Sequence, residues 1–225
     1  MNNFLQRKRL WLIPLYACFY LAAFKMLEAH VTKGYHVIHM ALDDMIPFCE
    51  YFIVPYFTWF LFIAVTVLFF SFINKDVQEF YQLLFSLGIG MTLFLIISWL
   101  YPNGQDLRPL TFSRDNIFVD MVKGLYETDT PTNIFPSIHV YNSVAVYFAI
   151  SHCGMLKKYP VVKVTAGVLT VLIVLSTMFL KQHSIFDVMC ALALYALVYG
   201  WLYAPGKRET ASALGREKAK KKMIS

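Results

Sequence analysis

Long apolar blocks separated by short polar stretches organise this chain. A membrane-crossing helix needs about 20 mainly apolar residues, and six blocks of that kind lie near 10–28, 51–73, 80–101, 136–153, 160–180 and 184–203. Almost no turn residue separates the last two. One helix over both would be about 66 Å long at 1.5 Å per residue, twice the thickness of a bilayer core. The chain must therefore reverse near Lys181–Ser184, which is also where polar residues gather. The pattern predicts an all-α polytopic membrane protein with six transmembrane helices. Residues 1–203 would form a single six-span domain, followed by a basic tail over 204–225 with no expected structure.

Composition supports the pattern. The chain is 58% hydrophobic and 15% charged, against about 25% charged residues in soluble domains. The segment RKRLWLIPLYACFYLAAF has an apolar run longer than a signal peptide's and no small-x-small cleavage site, so it reads as a retained first span. Cys18, Cys49, Cys153 and Cys190 form no C-x-x-C pair and mostly lie in apolar segments, so neither a disulfide framework nor a zinc ribbon is expected.

The formal net charge is +6. Six spans place both ends on one side. If that side is cytoplasmic, it collects Arg7, Lys8, Arg9, Lys75, Lys157, Lys158, Lys163 and the seven Lys/Arg of the tail, 14 of 20 basic residues. That bias follows the positive-inside rule. The tail reads as a topology signal, or as a segment attracted to anionic lipid. The opposite, non-cytoplasmic face is left with residues 29–50, 102–135 and the short turn at 181–184.

Three polar islands fall on that face. The first, YPNGQDLRP, carries Arg108, whose planar donors suit phosphate or carboxylate but which alone also fits a solvated loop residue. The second, NIFPSIHVYNSVA, places Pro136, Ser137 and His139 around a helix start, where free backbone N–H groups favour anions. The third is LSTMFLKQHSIFDV. Here His183 and Asp187 are four apart and share a helix face, so the carboxylate can orient the imidazole and leave Nε2 as nucleophile or base. Ionisable groups at membrane depth are costly and usually functional. Two histidines, a carboxylate, an arginine and a lysine converging on one cleft suit phosphoryl chemistry. A fourth group, His36, His39 and Asp43, falls at i, i+3 and i+7; on one helix these residues would share a face that packs over the cleft or holds a metal.

These islands resemble the signatures of the type 2 phosphatidic acid phosphatase family, within the superfamily that includes vanadium haloperoxidases. Its P-S-G-H motif appears as Pro136-Ser137-Ile138-His139, and its S-R-x5-H-x3-D motif as Ser176-Thr177, five residues, His183, three residues, Asp187. Its K-x6-R-P motif is half present: Arg108-Pro109 stand in place, with Tyr101 at the lysine position. The resemblance covers roughly 50–203, which would be the helical-bundle catalytic core. It implies that His183 attacks phosphorus, Asp187 orients His183, and His139 protonates the leaving oxygen. It also implies that Arg108, Ser137 and the amides near Ile138 bind phosphoryl oxygens, without metal or other cofactor. Lysine at 101, arginine at 177 and glycine at 138 are missing. Lys181 is a physical candidate for the lost charge, and Thr177 could still donate a hydrogen bond.

The expected function is a phosphatase for a lipid phosphate or diphosphate, embedded in a bacterial plasma membrane with its site on the outer face. The altered basic set leaves two alternatives open: transfer of the phosphoryl head group to an alcohol, and a non-enzymatic transporter or lipid-binding protein. Expected partners are membrane lipids and the lipid phosphate, with no nucleic acid.

Overall fold

The computed structural model describes residues 10–31 and 34–203. The tail at 204–225, Arg7, Lys8, Arg9 and Lys33 lie outside the described residues. Among the described residues eight α-helices carry the fold: α1 (Leu12–His30), α2 (Ala41–Met45), α3 (Ile53–Leu68), α4 (Val77–Leu100), α5 (Ile117–Thr128), α6 (Ile138–His152), α7 (Pro160–Phe179) and α8 (Ile185–Leu202). A 3₁₀ turn leads into α3, and a π turn over Phe69–Ile73 ends it. Five of these segments are long and apolar enough to cross a membrane: Leu12–His30, Glu50–Ile73, Val77–Leu100, Pro160–Phe179 and Ile185–Leu202. Their outer faces are large and apolar, as at Leu15, Leu61, Val161 and Leu197, so the protein is an integral membrane protein whose surface suits lipid.

The block expected to span over 136–153 becomes α6, with only 15 residues. At 1.5 Å per residue that is about 22 Å, short of a bilayer core of about 30 Å. It is the bundle's central helix rather than a lipid-facing one. It packs against α3, α4, α7 and α8, and Val140, Tyr141, Asn142, Ser143, Ala145, Val146, Ala149 and Ile150 are buried. Its small and polar residues let neighbouring backbones approach, as helices packed within membranes require.

Gly90 on α4 shows how close that approach is. The Tyr141 ring occupies the space a Cβ at position 90 would need, and the Tyr141 hydroxyl donates to the Ser86 carbonyl at 2.9 Å.

The polar segments at one end are more structured than turn residues alone suggest. α5 is amphipathic and starts at Asn116, whose side chain accepts from Phe118 and Val119 N–H. Two short parallel strands, β1 (His36–Val37) and β2 (Asn103–Gly104), join the loops after α1 and α4. Asn103 is the hub: its Oδ1 accepts from Ile134 and Phe135 N–H, each at 2.9 Å, and its carbonyl from Asn133 N–H at 2.7 Å. The helical face expected for His36, His39 and Asp43 does not form, because this pairing holds His36 in a strand and α2 begins only at Ala41.

Replacing Gly90 with valine is expected to overpack the α4–α6 contact and cost about 1–3 kcal/mol. Thermal unfolding in detergent should show a clear drop in midpoint, while valine at the lipid-facing Leu61 should leave it nearly unchanged.

Candidate active site

The reversal between α7 and α8 carries the third island. The Thr177 carbonyl accepts from both Gln182 N–H, at 2.9 Å, and His183 N–H, at 3.0 Å. Lys181 turns through the left-handed region, with φ 53°. Ser184 then caps α8: its Oγ accepts from Phe186 N–H at 3.1 Å, while its own N–H donates to Asp187 Oδ2 at 3.0 Å. His183 thus stands just ahead of the helix rather than in its first turn. Its Nδ1 lies 3.5 Å from Asp187 Oδ2, with both side chains buried. That is ion-pair distance, longer than a good hydrogen bond.

His139 arrives from the first turn of α6. Its ring is enclosed by Tyr56 and Trp59, with centroids at 4.8 and 4.4 Å, and faces the His183 ring at 5.7 Å. Its Nδ1 is buried without a hydrogen-bond partner. Ser137 is the N-cap of α6, accepting from Val140 N–H at 3.4 Å. Pro136 accordingly sits ahead of the cap, not in the first helical turn as expected. The structure brings the His139 ring, from the first turn of α6, beside the His183 ring of the α7–α8 reversal, with Asp187 of α8 behind His183.

The expected phosphate ligands are placed less uniformly. Arg108 reaches the same neighbourhood, but its fork is occupied by protein. Nη1 donates to the carbonyls of Tyr126, at 3.2 Å, and Asp129, at 2.8 Å; Nη2 donates to the Thr130 carbonyl, at 3.3 Å, and Gln182 Oε1, at 2.8 Å. Its guanidinium also stacks over Tyr126 at 4.5 Å. Lys181 Nζ donates to the Asp43 carbonyl at 2.6 Å. The Thr177 hydroxyl turns back onto the Val174 carbonyl at 2.8 Å. Tyr101 stacks on His36 with ring centroids 4.5 Å apart.

Two members of the fourth sequence group, Asp43 and His39, and two residues not singled out from sequence, Glu50 and Asp129, shape this end. Buried Asp43 accepts from Ser184 Oγ at 2.6 Å and from Ile185 N–H at 2.8 Å, tying the loop after α1 to the start of α8. Buried Glu50 accepts from Arg114 and Asn116, each at 3.1 Å. Burial raises the Asp129 carboxyl's pKa, against the pull of the Arg108 and His183 charges. His39 joins two loops, with Nδ1 2.8 Å from Asp106 and Nε2 2.9 Å from Asp44. No group of three or more metal-ligating side chains occurs among the described residues. Asp43 was visible in sequence only through its spacing from His36 and His39, and Gln182 only as a polar residue beside apolar blocks; their partners lie more than 70 positions away.

A helical membrane protein with two histidines in ring contact, one of them buried and backed by a carboxylate, is the class this geometry defines. The family model of the PAP2 superfamily matches residues 82–210, more than half of the sequence, and the chain belongs to that superfamily. Membership points to phosphatase activity on phosphate esters. Neither the curated proteins nor the solved structures searched contained a match. Asp43, Glu50, Tyr56 and Trp59 fall before the matched region, so part of the wall around the histidines comes from outside it.

Two outcomes follow from these contacts. Asp43→Ala strands the Ile185 N–H and frees Ser184, and is expected to destabilise the protein by about 1–3 kcal/mol, read as a lower unfolding midpoint. The two carboxylates raise the pKa of His39 above its ordinary value. A raised folded value means the tie is fully present below about pH 6.5 and weakens as pH climbs through the folded pKa. Hydrogen exchange of residues 34–46 should accelerate over that rise, and His39→Gln should remove the dependence.

Proposed function

We propose that this chain is a membrane-embedded phosphatase that hydrolyses a lipid phosphate or diphosphate through a phosphohistidine on His183. The observation that carries the reading is the His139–His183 ring pair with Asp187 behind the buried His183. His183 Nε2 attacks phosphorus as the ester P–O bond breaks, and protonated His139 gives its proton to the leaving oxygen. His139 then takes a proton from water, whose oxygen attacks phosphorus. The P–N bond breaks, releasing phosphate and free His183. Asp187 holds the Nδ1 side and stabilises the positive charge that develops on the ring. Ser137, the amides at Ile138 and His139, and Arg108 are assigned to the phosphoryl oxygens, with Thr177 and Lys181 supporting the turn beside them. In this reading the chemistry needs no metal.

The same reading takes α6 as a sixth, protein-enclosed crossing, giving one domain over residues 1–203 with both termini cytoplasmic and the histidines toward the outer face. The positive-inside bias supports that orientation. Transfer to an alcohol is the second reading, favoured by the aromatic enclosure of His139, which limits water at the group that activates the acceptor.

Purified protein should release phosphate from at least one of phosphatidic acid, phosphatidylglycerol phosphate and a polyprenyl diphosphate. His183→Ala should reduce release by about 10⁴-fold or more, as loss of a covalent nucleophile does elsewhere. Undiminished release from that variant removes the mechanism. Adding diacylglycerol, ceramide or a sugar alcohol with labelled donor separates hydrolysis from transfer.

A further inference from the structure

Gln182 immediately precedes His183 and is 2% exposed. Its Oε1 accepts from Arg108 Nη2 at 2.8 Å. A guanidinium offers only donors, so the carboxamide oxygen must face Arg108 and the NH₂ must point elsewhere. That Nε2 is buried and has no hydrogen-bond partner. Leaving a buried amide donor unpaired is costly, and such a group calls for an explanation.

The surroundings supply one. Arg108 spends both terminal nitrogens on protein acceptors, and its Nε is likewise buried and unpartnered. Thr177 turns its hydroxyl into its own helix, and Lys181 turns to the Asp43 carbonyl. The side chains expected to bind phosphate thus direct most of their donors at protein. Buried side-chain nitrogens without a partner at this end include Gln182 Nε2, Arg108 Nε, His139 Nδ1 and His183 Nδ1; of these the first two are necessarily donors, whereas a ring nitrogen can be an acceptor. The Thr177 carbonyl fixes the Gln182 and His183 backbone amides together, and Arg108 fixes the carboxamide through its Oε1.

Building on the phosphatase reading, we propose that Gln182 is a phosphoryl-binding catalytic residue. Its Nε2–H donates to a non-bridging oxygen of the phosphoryl group as it transfers to His183. Arg108 acts in part through Gln182, orienting and polarising the amide as well as offering its own Nε–H. A neutral amide thereby takes a place that a second cation would otherwise fill.

The test uses the full chain in detergent, with orthovanadate as the phosphoryl mimic and two variants. Q182E keeps an oxygen for Arg108 and removes the donor; Q182M removes both donor and acceptor without adding charge. Q182E should melt no lower than wild type, because the Arg108 link survives. Both variants should bind vanadate at least about tenfold more weakly and lose about 10²–10³-fold in kcat for phosphate release, the usual effect of deleting one preorganised donor. Vanadate binding by Q182M within about twofold of wild type overturns the proposal, since any loss in Q182E alone is then charge repulsion. If Q182M does not fold, Q182L, equally neutral and without a donor, takes its place under the same criterion, and Q182E binding near the wild-type level overturns the proposal in either case. Wild type that binds no vanadate removes the phosphatase reading and this proposal together, whereas binding by wild type that Q182E and Q182M retain removes only the proposal.

Discussion

Two long apolar helices reverse direction within the five residues between Phe179 and Ile185, and the polar groups of that reversal must find partners inside protein. An unpaired peptide group is expensive away from water. The turn solves part of this locally, through the Thr177 carbonyl and the Ser184 cap. The rest is solved from a distance. Tyr126 donates its hydroxyl to the Leu180 carbonyl at 2.7 Å, Arg108 holds Gln182, and Asp43 receives Ser184 and Ile185. Three polar segments far apart in sequence are gathered because one tight turn needs them. The gathered residues then surround His183.

The same gathering explains why the site extends beyond the region that matches the PAP2 superfamily. The matched segment supplies the histidines and Asp187. The segment before it supplies the aromatic enclosure of His139 and the carboxylate at the α8 N-terminus. A carboxylate there accepts otherwise orphaned N–H groups and complements the helix dipole. The two parts are therefore one packed unit at this end, with contacts between α3 and both α6 and α7 continuing the association through the bundle.

Much of this was legible in the sequence, for identifiable reasons. Five apolar blocks became long helices because hydropathy alone demands them. The sixth became a shorter helix enclosed by the others. Asn142, Ser143, Ala145 and Ala149 make α6 a core helix, and average hydropathy does not separate lipid contact from helix contact. The spacing of His183 and Asp187 reads directly as proximity, since four residues make one helical turn. Lys181 and Arg108 illustrate the opposite case. Type and position suggested phosphate ligands, yet long side chains choose partners by tertiary geometry, and both take backbone carbonyls. Strand pairing between residues 36 and 103 was invisible for the same reason: two-residue strands carry no periodicity.

The bond between Asp43 and Ser184 spans 141 positions of chain. During synthesis the carboxylate emerges long before its partners exist: at about 5–20 residues per second the wait is roughly 7–30 s. Over that interval the acid has neither the Ser184 hydroxyl nor the Ile185 amide to satisfy it, and must stay hydrated. The loop bearing it therefore remains at the aqueous boundary until the last helical pair inserts. Its burial is a late event, and it closes the bundle end in the same step that fixes the turn beside His183.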